Sequence, residues 1–127
     1  MNVVDSSGWL EYFAEGPNAD FFAAAIEARQ ELIVPVISVY EVFKRVLQQK
    51  GEDDALQAIA LMLQGQVVDL DVTLALQAAY TSVELKLPMA DSIILTTARL
   101  YEAVVWTQDE HFEGLEGVRY IEKRNVP

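Results

Sequence analysis

A chain of 127 residues, 52% hydrophobic and without cysteine, is long enough to bury a core and has no use for disulfides or thiolate metal sites. Its net charge of −11, from 20 acids against nine Lys and Arg, opposes long-range attraction to a polyanion. With neither a basic leader ahead of an apolar core nor an apolar run near the ~18 residues of a membrane span, it reads as one soluble, cytoplasmic domain over residues 1–127, with no membrane partner.

Short β-rich runs alternate with helical patterns. Strands are predicted at 2–4, 32–36, 67–70, 103–106 and 118–121, and helices at 7–14, 18–30, 39–49, 53–63, 73–86 and 89–101. Strands separated by helices imply right-handed crossovers, so the expected fold class is α/β: a mostly parallel five-stranded sheet with helices on both faces. In such a sheet the reactive edge is the carboxyl end of the strands. Four acids from distant segments fall there: Asp5 closes the first strand, Glu41 lies in the first turn of the helix after the second, Asp91 opens the helix before the fourth, and Asp109 follows the fourth.

Each acid also has a purely structural explanation. Asp5 or Ser6 could cap the first helix by accepting from an orphan amide. Ser38 and Glu41 fit a capping box, Glu41 could pair with Arg45, and its wheel position lies almost opposite the stripe Val39, Val42, Phe43 and Val46, so the structural reading is favoured for Glu41 taken alone. Asp91 is different. Ile94, Leu95 and Ala98 follow at +3, +4 and +7, which puts the carboxylate at the top of an apolar face, where an acid needs a partner. Thr107 and Glu110 form another possible capping box, one that leaves Asp109 between them without a role.

Four independent accidents at one edge of one sheet are harder to accept than one shared purpose. Like charges gathered there repel and raise one another's pKa values unless a cation is present. Oxygen ligands without a His or Cys companion point to Mg²⁺ or Mn²⁺, and such ions can activate a water and stabilise the leaving oxygen of a phosphodiester.

The stretches VVDSSGWLEYF, SVYEVFKRV and LPMADSIILTTARLYEAVVWTQD, with the HF that follows, resemble the PIN-domain ribonucleases, and among them the VapC-type toxins of prokaryotic toxin–antitoxin pairs. The likeness runs along essentially the whole chain, and its most specific block joins an Ala-Asp pair, an apolar helix, a short strand and Thr-x-Asp. The resemblance implies a single-domain, PIN-like three-layer fold with sheet order 3-2-1-4-5. It implies an active site of Asp5, Glu41, Asp91 and Asp109 holding Mg²⁺ or Mn²⁺, with Ser7 and Thr107 as supporting hydroxyls. It further implies cleavage of RNA phosphodiester bonds, a homodimer, and a small VapB-like antitoxin that covers the site. Glu41 moves from cap toward ligand on this ground alone, while Ser7 and Thr107 stay open between cap and site. Two divalent ions would reduce the net charge only from −11 to −7 (−11 + 4), an awkward field for an RNA enzyme.

Other residues are read as structural. His111 is a surface or packing residue, since a metal-activated water needs no imidazole. Asp69 and Asp71 follow an edge-strand candidate, and Asp71 makes a good N-cap. Lys44, Arg45 and Lys86 fit a solvated face, and Trp9, Tyr12 and Phe13 fit core or dimer contacts. Two other functions stay open: a PIN-like protein-interaction module whose acids no longer act, and a receiver-like signalling domain using Asp69 as phosphoacceptor, for which Lys123 is poorly placed.

Overall fold

The structure, a computed structural model, describes residues 1–125, so the last two residues of the expected 1–127 domain lie outside it. The alternation of valines and isoleucines along short strands sends neighbouring side chains to opposite faces and so builds two cores. In β1 (Asn2–Val4), Val4 joins Leu32 and Val34 of β2 (Leu32–Pro35) on one face, while Val3 joins Ile33 on the other. β3 (Gln66–Val68), β4 (Val104–Thr107) and β5 (Val118–Tyr120) complete an all-parallel sheet of order β3-β2-β1-β4-β5 among the described residues. This is the expected architecture, with β1 at the centre.

Helices α1 (Ser6–Phe13), α2 (Ala19–Ile26), α3 (Val36–Lys50) and α4 (Glu52–Met62) cover the first face through Trp9, Phe22, Val42, Val46 and Met62. On the second face α6 (Met89–Leu100) buries Ile94, Leu95 and Ala98 against the sheet, and α5 (Val72–Leu85) packs on α6. The layers are therefore helix, sheet, helix. Among the described residues no helix is long and apolar enough to cross a membrane.

Gly8 decides how closely α1 approaches the sheet. A Cβ there would sit 2.6 Å from both the Phe22 ring and Val4 Cγ1, so only glycine lets α1 turn sharply off β1 and hold its first residues over the strand ends.

Four expectations are corrected. The helix predicted over 18–30 is interrupted: α2 stops at Ile26 and a 3₁₀ turn (Arg29–Glu31) leads into β2. The strand predicted over 32–36 ends at Pro35, which stands at the N-cap of α3, so the helix starts three residues before 39. Ser38 is consequently inside α3, fully buried and without a hydrogen-bond partner for its hydroxyl, and the Ser38–Glu41 capping box does not exist. Glu41 thereby moves from the first turn of the helix to the second. Finally, β3 is an edge strand and the order is not the 2-1-3-4-5 of receiver-type sheets, which removes the signalling alternative built on Asp69. Asp71 caps α5 as expected, accepting from Leu74 N at 2.8 Å.

Candidate active site

The strand order reverses between β1 and β4, and the crevice at their carboxyl ends is where an open α/β sheet presents ligands. Val4 pairs with Trp106, which sets Asp5 beside Thr107, the last residue of β4. Asp5 is only 2% exposed. Its Oδ1 accepts from Gly8 N at 3.0 Å and Ser7 Oγ at 2.8 Å, and its Oδ2 accepts from Thr107 Oγ1 at 2.7 Å. Of the two candidate caps, Asp5 and Ser6, it is Asp5 that is the N-cap of α1. Burial pushes its carboxyl up to about 7, although Thr107, Ser7 and Gly8 all favour the charged form, and the nearby Asp109 adds to the rise.

Asp91 lies in the first turn of α6, whose N-cap is Pro88. A proline offers no amide for an acid to reach back to, so the Asp91 carboxylate is not drawn into a cap and faces the crevice instead. Burial again leads the causes that raise it to about 6, followed by the charge of Asp109, with Glu41 contributing; His111 acts in the opposite sense. Asp109 is the cap of the 3₁₀ turn Glu110–Phe112, accepting from His111 N at 2.9 Å, while its own amide donates to Thr107 Oγ1 at 2.9 Å. The proposed Thr107–Glu110 capping box is therefore absent: Thr107 belongs to β4 and its hydroxyl links Asp5 to Asp109.

That turn returns His111 to the acids. Its Nδ1 lies 3.1 Å from Asp91 Oδ2 and 3.2 Å from Asp109 Oδ1, and the charge of Asp109, then of Asp91, raises the imidazole pKa. The ring is largely exposed, as a surface residue should be, yet it shares the crevice with both carboxylates. Glu41 enters from α3, its Oε1 accepting from Ser6 Oγ at 2.6 Å. The hydroxyl turns toward the crevice a carboxylate whose wheel position alone suggested solvent.

A divalent cation suits this donor set, although the His111 imidazole within it departs from the oxygen-only set expected from the sequence. One ligand atom each from Asp91, Asp109 and His111 lie within 4.8 Å of one another, and among the described residues no Lys or Arg pairs with any of the four acids. Asp5 and Glu41, also expected as metal ligands, lie outside this group of three: both oxygens of Asp5 already accept hydrogen bonds, and Glu41 Oε1 accepts from Ser6.

A family model described as PIN domain matches residues 3–118. The chain belongs to the PIN-domain family. No curated protein sequence matches this PIN domain significantly. Solved structures do. A toxin–antitoxin complex from Klebsiella pneumoniae matches at 23% identity and a TM-score of 0.77, covering 94% of this chain and 96% of that one. The sarcin–ricin-loop-cleaving VapC toxin of Mycobacterium tuberculosis matches at 17% identity and a TM-score of 0.77, covering 93% and 97%. The DNA-bound VapBC of Salmonella typhimurium matches at 17% identity and a TM-score of 0.71, covering 96% and 98%. At these identities the likeness is one of fold.

Two clefts meet beside the acids of this PIN domain. One of about 490 Å³ borders Asp109, Glu110, Tyr120 and Glu122; a larger one of about 700 Å³ runs between α1, α3 and α4 over Leu10, Phe13, Val46, Ala58 and Leu61. Both are lined by Ser7, Gln108 and Lys123. The larger cleft reaches none of the four acids, so its size does not mark the chemistry.

Proposed function

We propose that this PIN domain is a divalent-metal-dependent endoribonuclease, the toxin of a toxin–antitoxin pair acting in the cytoplasm. The observation that carries the reading is the convergence of Asp91, Asp109 and His111 beside a buried Asp5 at the switch point of a PIN sheet. Bound Mg²⁺ or Mn²⁺ would neutralise the site and supply Lewis-acid activation of water and phosphate. Asp91 and Asp109 hold the cation. Asp5, locked by Ser7, Thr107 and Gly8, sets the negative field behind it, and Glu41, held by Ser6, orients water. The bond broken joins phosphorus to O3′ and the oxygen added comes from water, giving a 5′-phosphate and a 3′-hydroxyl. The toxins whose folds this chain shares support the substrate class, since one of them is a sarcin–ricin-loop-cleaving protein.

The direct experiment is incubation of the purified protein with structured RNA in Mn²⁺, Mg²⁺ or EDTA. Cleavage in metal and none in EDTA is expected; intact RNA in every metal, with no Mn²⁺-induced thermal stabilisation, would favour the inactive interaction module. Repeating the assay with the product of an adjacent small gene tests the antitoxin, for which inhibition is expected. The apolar floor of the α1–α3–α4 cleft offers a partner segment a place to lie.

A homodimer is proposed through α5. Val72, Leu76, Tyr80 and Val83 are 60–82% exposed, recur at +4, +4 and +3, and so share one face opposite the buried Leu74 and Ala78. Light scattering should report a dimer for the wild type and a monomer for Tyr80→Asp/Val83→Glu; an unchanged mass would remove α5 from the interface.

A further inference from the structure

Asn18 stands at the N-cap of α2, where an asparagine side chain ordinarily accepts from the helix's own amides, yet it makes no such bond. It is 2% exposed and turned away from the helix. Its Nδ2 donates to Gln108 Oε1 at 3.0 Å and to the Glu122 carbonyl at 3.1 Å. Gln108, also buried, donates through Nε2 to Glu11 Oε1 at 3.3 Å, and the other oxygen of Glu11 accepts from Asn18 N at 2.7 Å. Three residues thus close a ring that joins the end of α1, the start of α2, the segment after β4 and the segment after β5.

The ring has been built at some cost. Asn18 Oδ1 is buried without a partner, and α2 goes without a side-chain cap. Glu11 can fold back into place only because residue 16 is glycine: a Cβ there would collide with all three atoms of its carboxylate. Nothing of this kind is needed merely to fill space. An apolar contact would fill it without an orphaned acceptor, whereas a connected polar network fixes one geometry.

What it fixes is the segment that carries two candidate site residues. Thr107 and Asp109 flank Gln108, and along extended chain alternate residues face opposite sides. Thr107 and Asp109 serve the crevice while Gln108 reaches back into the ring. On the crevice side, Thr107 Oγ1 donates to Asp5 Oδ2 and accepts from Asp109 N, and Gln108 N donates weakly to Ser7 Oγ at 3.4 Å. We propose that Gln108, locked by Asn18 and Glu11, is a positioning residue that sets the direction in which Asp109 presents its carboxylate to a divalent cation. The assignment rests on the metal-dependent reading above, but the ring acts in the metal-free protein as well.

The test exchanges the charge within the ring. Gln108→Glu alone sets two carboxylates against each other; Glu11→Gln with Gln108→Glu restores one donor and one acceptor in nearly the same shape. Gly16→Ala displaces Glu11 without adding a charge. Two quantities are read: amide hydrogen exchange at Asp109 and His111 in the metal-free protein, and the dissociation constant for Mn²⁺. Both single variants should speed exchange at those amides and weaken Mn²⁺ by about tenfold or more, the range for losing a ligand's supporting partner, with exchange in β1 and α6 unchanged. The double variant should recover both. Unaltered exchange in the single variants, Mn²⁺ affinity that ignores faster exchange, or no recovery in the double variant overturns the proposal. A wild type that binds no Mn²⁺ defeats the metal-dependent reading and with it the positioning role, while the exchange data still show whether the ring holds the segment.

Discussion

Asp91→Asn is expected to abolish metal-dependent RNA cleavage in a protein that still folds. The loss should exceed the ~10–100-fold that follows removal of a metal ligand's outer partner, because Asp91 is proposed to touch the cation itself. Folding should survive because the carboxylate satisfies no backbone amide: Pro88 occupies the cap position, and its only hydrogen-bond partner among the described residues is the His111 ring. Removing the charge also relieves its repulsion with Asp109 and Glu41, so the metal-free variant should melt no lower than the wild type. Cleavage of a labelled RNA in Mn²⁺, paired with circular dichroism and a melting curve, reads both quantities. Wild-type cleavage by the variant would remove Asp91 from the site.

The sheet was legible because its signal is local. Val3 with Val4, the 32–34 run and Val105 with Trp106 carry the alternation, and the resemblance supplied the order in which the strands pair. Asp5, Asp91 and Asp109 could be placed for a related reason, since each sits at an element boundary that sequence pattern can find, whereas Glu41 lies a turn inside α3. Boundaries were least secure where two local signals competed. At 32–38 the run LIVPVIS reads as a strand followed by a serine cap, but Pro35 fixes its own φ and ends the strand, and Val36 begins α3. The serine that looked like a cap became a buried hydroxyl, and the glutamate moved from first turn to second.

What could not be read is what tertiary structure brings together. His111 is two residues from Asp109, but its approach to Asp91 depends on a three-residue turn meeting the first turn of a helix twenty positions upstream. Asn18 looks like a helix start, and its diversion to Gln108 spans ninety residues of chain. The uncomfortable net charge is relieved only slightly in three dimensions. Arg45, Lys50 and Lys123 line the larger cleft together with Glu11 and Asp54, and of the three only Lys123 also lines the smaller cleft that includes Asp109, so a single cationic side chain borders that acid in a chain that carries −11. Local potential, not net charge, governs where a phosphate backbone can lie.

Asp5→Asn should change how stability depends on pH more than any other single substitution. In the unfolded chain this carboxyl titrates near its ordinary value of about 4, while in the folded protein burial holds it at about 7. The folded state therefore holds the proton more tightly, so the stabilising contribution is fully present below about pH 4 and is lost as pH rises through about 7. For a group this buried the loss is on the order of a few kcal/mol, and Asp91, raised to about 6, adds to it over a lower range. Urea denaturation of the metal-free wild type should thus show stability falling between about pH 4 and pH 7, and Asp5→Asn should flatten most of that fall. Saturating Mn²⁺ should reverse the order at pH 8, because a cation that binds only the folded state stabilises it by mass action and the variant has lost charge beside the site proposed for the cation. Parallel wild-type and variant curves in the metal-free protein would mean that Asp5 is already compensated by its three hydrogen bonds. Its burial could then be explained by helix capping alone.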